Sequence, residues 1–335
     1  MNKNLILIAT VLALSLPWVG CNQSGKLNQP STFKPPAGPM ELKVKWLPGE
    51  RIVQDMDMKQ NMELSLPGQP GPMKQDLTMG QEYELAVLNA DSDGGHEVEM
   101  EFLSARMGMT MGGKTVLDYD SAKKSSADKA NPVADMFGKI VGSKLRFFLN
   151  ASNDVEQIEG VDELTKRLAS GGQADPLAPL KSMYGEGYFK QMMSANRFLP
   201  PKAVQPGDTW PVQFEFPMGT MGTLVVDYNF TFQSWEMRGK RNCARLEFQG
   251  TLKTKPDQNS NPAGMSISIP DGNSSGASWF DPELGIIIET TMNQDMNMVI
   301  NMPMNPRGNP GAAGAMQTIT NRMNQVMTIK LVSVR

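Results

Sequence analysis

From Glu41 to the C-terminus, apolar and polar residues alternate along most of the chain, the period of a strand with one buried face. The run LKVKWLPGERIVQDMDMKQNMELSL contains the turn Pro48–Gly49, and the Pro/Gly stretch Pro67–Pro72 closes a hairpin onto MKQDLTMGQEYELAVL. Asp91–Gly95 joins that strand to HEVEMEFLSARMGMTM, and Gly112–Gly113 turns the chain into KTVLDYDS. LRFFLNASNDVEQIEG forms a further hairpin around Asn150–Asp154. A second series follows: LPPKAVQPGDTWPVQFEF, GTLVVDYNFTFQSWEM, the turn Arg238–Lys240, and CARLEFQGTLKTK. It continues through ASWFDPELG into IIIETTMNQDMNMVINM and ends on MQTITNRMNQVMTIKLVSV. A loop is expected at Asp257–Pro262, a turn at Asp271–Gly276 and a Pro/Gly tip at Pro306–Gly314.

Two stretches break the two-residue period. Asn131–Pro132 predicts a helix N-cap with Pro at the first helical position, opening a short helix to about Val141. VDELTKRLAS predicts a second helix, and a third helical segment follows Asp175–Pro176. Helical spacing there puts Leu180, Met183, Phe189, Met192 and Met193 mostly on one side, a side expected to pack on the sheet.

The two strand series echo each other. TMGQEYELAVLNADSDGGHEVEMEFLSARM runs parallel to TLVVDYNFTFQSWEMRGKRNCARLEFQGTL, with Tyr83 against Tyr228 and Phe102 against Phe248. The hairpins DMKQNMELSLPGQPGPMKQ and DMNMVINMPMNPRGNPGAAGAMQ both carry alternating Met before a Pro/Gly tip. The expected fold is all-β and mostly antiparallel, two similar halves at about 41–160 and 204–335 forming a curved sheet, half-barrel or sandwich. A small helical insert at 161–198 joins them, and the β-rich domain as a whole spans 41–335.

Leu5–Cys21, LILIATVLALSLPWVGC, behind the single Lys3 is too short to span a bilayer and suits a secretory signal over residues 1–20. Val19-Gly20-Cys21 resembles the lipobox of bacterial lipoproteins, with Trp18 standing where that pattern has a small aliphatic residue. The resemblance implies that Cys21 is lipidated, becomes the mature first residue and tethers the protein to a membrane. Residues 21–40, rich in Pro, Gly and polar side chains, then form a flexible tether. Asn22 follows where such lipoproteins often carry an inner-membrane Asp. The implied location is the cell envelope, at the outer membrane and facing the periplasm.

Composition narrows the chemistry. The 335 residues carry a net charge of −3 from 32 basic and 35 acidic side chains without a basic stripe, so nucleic acid is not an expected partner. With Cys21 lipidated, Cys243 has no intramolecular partner, and in its strand-like run it suits a small buried hydrophobe. One histidine, His96, removes most acid–base and metal chemistry. It is expected to be a solvated residue at a strand start. No catalytic residue, resident metal or cofactor is expected.

The 27 methionines outnumber all aromatic residues together. Met56 and Met58, Met107, Met109 and Met111, Met296 and Met298, and Met302 and Met304 repeat at two residues, so each set lines one face of a strand. Three readings are open: a β core filled with a flexible side chain, an adaptable apolar groove for a lipid or peptide, or thioether binding of Cu(I). Gly272-Asn-Ser-Ser-Gly276 matches a nucleophile elbow in letters only and is expected to be a loop, because no helix follows it. Asn89-x-Asp91-x-Asp93-Gly94 imitates half a calcium loop but has Met100 at the bidentate position. Asp208 and Trp210 in PGDTW form a turn and a buried anchor, as does Asp281-Pro-Glu-Leu-Gly285; Trp210, Trp235 and Trp279 could alternatively form a binding platform.

WLPGERIVQDMDM, LDYDS, FFLNASNDVEQIEG and LPPKAVQPGDTW together resemble a family of uncharacterised bacterial secreted lipoproteins, a domain of unknown function. A curved antiparallel sheet with a helical lid is similar in outline to the lipid and lipoprotein carriers of the bacterial envelope. The function expected is a non-enzymatic, tethered lipoprotein binding a hydrophobic ligand such as a lipid through Met56, Met58, Met107, Met109, Met111, Met296, Met298 and Met302. The alternatives are a structural or protein-interaction module and Cu(I) binding by Met pairs.

Overall fold

The computed structural model describes residues 26–27, 29–123, 131–169, 181, 184–194, 198–217, 223–255, 266–303 and 316–335. Cys21, the Asp257–Pro262 loop, the Pro306–Gly314 tip, Met304 and most of 170–183 lie outside the described residues, as do the side chains of Met302 and Met316.

Twelve strands are described: β1 (Arg51–Ser65), β2 (Met73–Ala90), β3 (His96–Met111), β4 (Lys114–Asp120), β5 (Lys144–Leu149), β6 (Val155–Glu159), β7 (Thr209–Pro217), β8 (Thr223–Arg238), β9 (Arg241–Lys255), β10 (Ser266–Asp281), β11 (Ile286–Pro303) and β12 (Met316–Val334). They form one antiparallel sheet in the order β6-β5-β3-β2-β1-β12-β11-β10-β9-β8-β7, with β4 paired to β3 off this path. The fold is therefore all-β and built on a single sheet, not a sandwich. β1–β6 and β7–β12 meet at the β1–β12 pairing.

Three helices are described: α1 (Pro132–Ile140), α2 (Val161–Leu168) and α3 (Glu186–Met193). Asn131 caps α1 as its sequence predicts, its Oδ1 accepting from the backbone N–H of Val133 at 3.0 Å and Ala134 at 3.3 Å. α2 buries Leu164 and Leu168, and α3 buries Phe189, Met192 and Met193.

α3 reveals how far the sheet curls. It packs against both β6 and β7, the two ends of the eleven-strand path. Laid flat, those ends would stand about 48 Å apart at roughly 4.8 Å per step. An eight-residue helix is only about 12 Å long. The sheet therefore wraps nearly into a barrel, and α3 bridges the gap. Phe189 of α3 reaches Phe102 of β3 at 6.5 Å between ring centroids. Phe198, just beyond the helix, packs on Phe214 of β7 at 4.2 Å.

One sequence expectation is corrected. Asp271–Gly276 is no turn; it lies inside β10, which runs unbroken from Ser266 to Asp281 with a bulge at Ser268–Asp271. Its Gly and Ser residues satisfy packing instead. A Cβ on Gly272 would come within 3.0 Å of Leu252, and one on Gly276 would enter the Phe248 ring and the Thr291 carbonyl.

The Pro/Gly-rich segment before Met40 also makes specific contacts. Glu283 accepts from Ser31 Oγ at 2.7 Å and Thr32 Oγ1 at 2.8 Å, and Asn242 Nδ2 donates to the Phe33 carbonyl at 2.9 Å. Phe33 lies against Trp235 at 5.2 Å.

Candidate functional site

Pairing registers align the methionines across strands. Met107 of β3 stands opposite Met79 of β2, and Met79 opposite Met58 of β1. Met58 in turn faces Met327 of β12, which faces Met292 of β11. All five are buried. The row continues through Gly276 to Phe248, Phe230 and Trp210 on β9, β8 and β7. One cross-strand line thus passes from flexible thioethers in the centre to rigid aromatics at one end. Trp210 stacks on Phe230 at 5.7 Å and donates its indole N–H to the Phe198 carbonyl at 3.0 Å, the buried anchor that PGDTW predicts.

Two residues further along, the neighbouring row is polar: Gln60 of β1 opposite Gln325 of β12, which stands opposite Gln294 of β11 and then Ser274 of β10. All four are buried. The next row returns to sulfur, with Met62, Met323 and Met296 opposite one another. A thioether sulfur can only accept, and the amides use it so. Gln60 Nε2 donates to Met323 Sδ, Asn321 Nδ2 to Met62 Sδ at 3.6 Å, and Gln294 Nε2 to Met292 Sδ at 3.6 Å. Gln325 Nε2 donates to Gln294 Oε1 at 3.1 Å. The carbonyl oxygens of Gln60, Gln325 and Asn321 are left buried without a partner among the described residues.

Of the sequence-predicted positions, Met56, Met58, Met107, Met109, Met296 and Met298 are buried in the same continuous core, and Met111 is half-buried beside Gln75. Met302 pairs Gln317 through its backbone. Sequence reasoning missed Met79, Met292 and Met327, which complete the row, and the glutamines beside it. Their alternation was visible in single strands, but their alignment depends on register between strands distant in sequence.

Among the described residues of this interior, the hydroxyls serve the sheet. Ser274 Oγ accepts from Tyr228 OH at 2.8 Å within the sheet. Burial pushes the Tyr228 phenol up to about 12, against the opposing hydrogen bonds to Ser274 and Gln294. Burial likewise pushes the Cys243 thiol up, with the Asp281 charge adding to the effect. Cys243 packs with Ala277 and Trp279 in a small cluster of its own. His96 is half-buried rather than solvated, with Nδ1 withdrawn from solvent. Asn89 Nδ2 donates to Glu97 Oε2 at 2.7 Å across the Asp91–Gly95 turn, so the calcium-like letters belong to a hairpin. Trp279 is engaged by Glu236 at 2.9 Å and by the Arg238 guanidinium over its ring at 3.5 Å. No helix among the described residues is long and apolar enough to cross a membrane.

The profile of a family of unknown function (DUF6263) matches residues 93–287. No curated protein matches the sequence. Among solved structures, the sheet is similar to part of lipovitellin, in a structure concerned with lipid–protein interactions, at 9% identity and a TM-score of 0.43. That match covers 87% of this chain and 26% of lipovitellin, so the chain spans about a quarter of that protein. A Bacteroides fragilis protein described as exported, with a YmcC-like fold, matches at 10% identity and a TM-score of 0.30, covering 88% of this chain and all of its own. A protein described as a lipoprotein from Parabacteroides distasonis matches at 9% identity and 0.28, covering 89% and 100%.

Proposed function

The chain belongs to the DUF6263 family of unknown function, and we propose that it is a non-catalytic, envelope-tethered lipoprotein that holds a hydrophobic ligand such as a lipid against its methionine-lined inner face. Cys21, outside the described residues, supplies the lipid anchor in this reading.

One observation carries it: a five-strand methionine row beside buried amides whose oxygens have no partner among the described residues. A core selected only for stability favours branched side chains with fixed rotamers. Each buried, unsatisfied acceptor costs about 1–3 kcal/mol. Methionines re-pack around varied shapes at little cost, and a hydroxyl on an otherwise apolar ligand would donate to one of the orphaned oxygens. Cu(I) binding fits less well, because Met62, Met292 and Met323 already accept hydrogen bonds at sulfur.

Methyl-labelled methionine NMR tests the reading. Adding a diacyl lipid in detergent should shift the Met58 and Met327 methyl signals saturably and leave exposed Met237 unmoved. Equal movement of all three, or of none, would sink the proposal.

A further inference from the structure

The segment before β1 is fastened to one end of the curled sheet. Lys26 pairs with Glu50, the residue that precedes β1. The Ser31 N–H donates to the Lys240 carbonyl in the β8–β9 turn at 2.8 Å, and Ser31 and Thr32 bond Glu283 in the β10–β11 turn. Met40 then pairs Val204 in an isolated bridge, and the Lys45 N–H donates to the Gly285 carbonyl at 3.0 Å. Because the sheet is antiparallel, the end of β8, the start of β9, the end of β10, the start of β11, the end of β12 and the start of β1 share this rim.

Reach limits how a lipid on Cys21 can hold the domain. Five residues carry the chain from Cys21 to Lys26, at most about 17 Å when fully extended. β1 alone has 15 residues, about 50 Å of strand, and tilted as in a barrel it still rises about 35 Å. The anchor therefore cannot leave the domain standing on its opposite rim. Two postures remain: upright on this rim, or lying on a flank.

Surface chemistry separates them. Of five large apolar side chains exposed among the described residues, Leu47, Met237 and Val332 stand at this rim, 47%, 58% and 47% exposed. Val332 is the extra residue of a β12 bulge opposite Val53 and Gln54, a device that re-aims a side chain. The other two are Val326, on the flank opposite Lys59, and Val116, beside the β3–β4 turn at the opposite rim. The flank of β1 otherwise presents Asp57, Lys59, Asn61 and Glu63 to solvent, groups that resist entry into a bilayer. Along the arc from β8 to β1, carboxylates are matched by arginines: Glu84 by Arg51 and Arg335, Asp281 and Glu283 by Arg241, Glu289 by Arg238. Lys34 and Lys240 are exposed there and make no ion pair among the described residues. The neighbouring β2–β3 turn exposes Asp91 and Asp93, which confines the contact to that arc. Apolar tips beside lysines suit the headgroup layer, where the cations meet lipid phosphate. We propose that the rim bearing Leu47, Met237 and Val332 rests on the bilayer that holds Cys21, with Lys34 and Lys240 against anionic headgroups. This inference rests on the lipidation of Cys21 and adds the surface that the anchored domain turns to the membrane.

The test uses the full, lipid-modified chain in vesicles of phosphatidylethanolamine and phosphatidylglycerol, with a nitroxide quencher on part of the headgroups. A thiol-reactive fluorophore is placed singly on Leu47→Cys, Met237→Cys, Val332→Cys, Val326→Cys or Val116→Cys, while buried Cys243 stays unlabelled in the folded chain. All five replaced side chains are exposed, so the variants should fold. Fluorescence should be lost at 47, 237 and 332 and kept at 326 and 116. Quenching at 326 equal to that at 237 would mean that the domain lies on its flank and would overturn the proposal. So would vesicle-bound protein with all five labels bright, an outcome that leaves the anchor standing. Protein that fails to sediment with the vesicles would remove the anchor reading, and this inference with it.

Discussion

Glu283 gathers contacts from two distant parts of the chain. Arg241 Nη2 donates to it at 2.9 Å, while Ser31 and Thr32 reach it from the segment before β1. Burial pushes its carboxyl up, but the bonds from Ser31 and Thr32 and the Arg241 charge outweigh that and hold it at about 2, against an ordinary 4.5. A carboxylate depressed in the folded state stabilises it above the unfolded value and stops doing so as pH falls through the folded one. Hydrogen-exchange protection of Thr32 should therefore be constant from neutral pH down to about 4.5 and decline toward about 2. Loss already complete near pH 5 would show that Glu283 does not hold this segment. Beside it, Arg241 and Asp281 form a buried pair at 2.5 Å, with side chains 4% and 0% exposed. Asp281→Ala leaves the buried guanidinium with Glu283 as its remaining carboxylate and also removes the acceptor for the Glu283 and Leu284 N–H groups. Urea unfolding should show a loss of about 3–5 kcal/mol. A loss below 1 kcal/mol would mean that water reaches the site. The raised Cys243 thiol should ignore thiol reagents until the protein unfolds, and rapid native labelling would contradict its burial.

At the scale of elements, β10 shows where sequence reading fails and why. DGNSSG has the composition of a turn, yet its glycines are the small partners of large neighbours on β9 and β11. Gly276→Ala should cost about 1–3 kcal/mol by overpacking against Phe248, measured by chemical denaturation; a neutral effect would mean that the ring moves aside freely. The α1 cap, by contrast, was readable from Asn131 and Pro132 alone, because capping is local chemistry. Hairpins bounded by Pro/Gly were legible for the same reason. What stayed hidden depends on pairing between distant strands. The sequence placed Met58 on a strand face, but only the β1–β12 register sets Met58 beside Met327 and Gln60 beside Gln325.

At the scale of the molecule, a twelve-stranded sheet curled around its own apolar face explains how one strand layer can bury so many side chains, the helices among the described residues being short. Polar residues alternate outward; on β1, for example, Asp55 and Asp57 meet Arg106 of β3 at 3.0 and 3.3 Å. The tethering proposal belongs to this scale as well. Cys21→Ser should move the protein into the soluble fraction on cell fractionation, and continued membrane retention would remove the anchor from the account. The central claim, that the inner face holds a hydrophobic ligand, is tested most directly by native mass spectrometry of the protein released gently from its own envelope. The account expects an added mass of lipid size that survives desolvation and is displaced by excess exogenous lipid. A bare monomer that takes up no lipid when offered it would contradict the claim and leave the methionine rows as core alone.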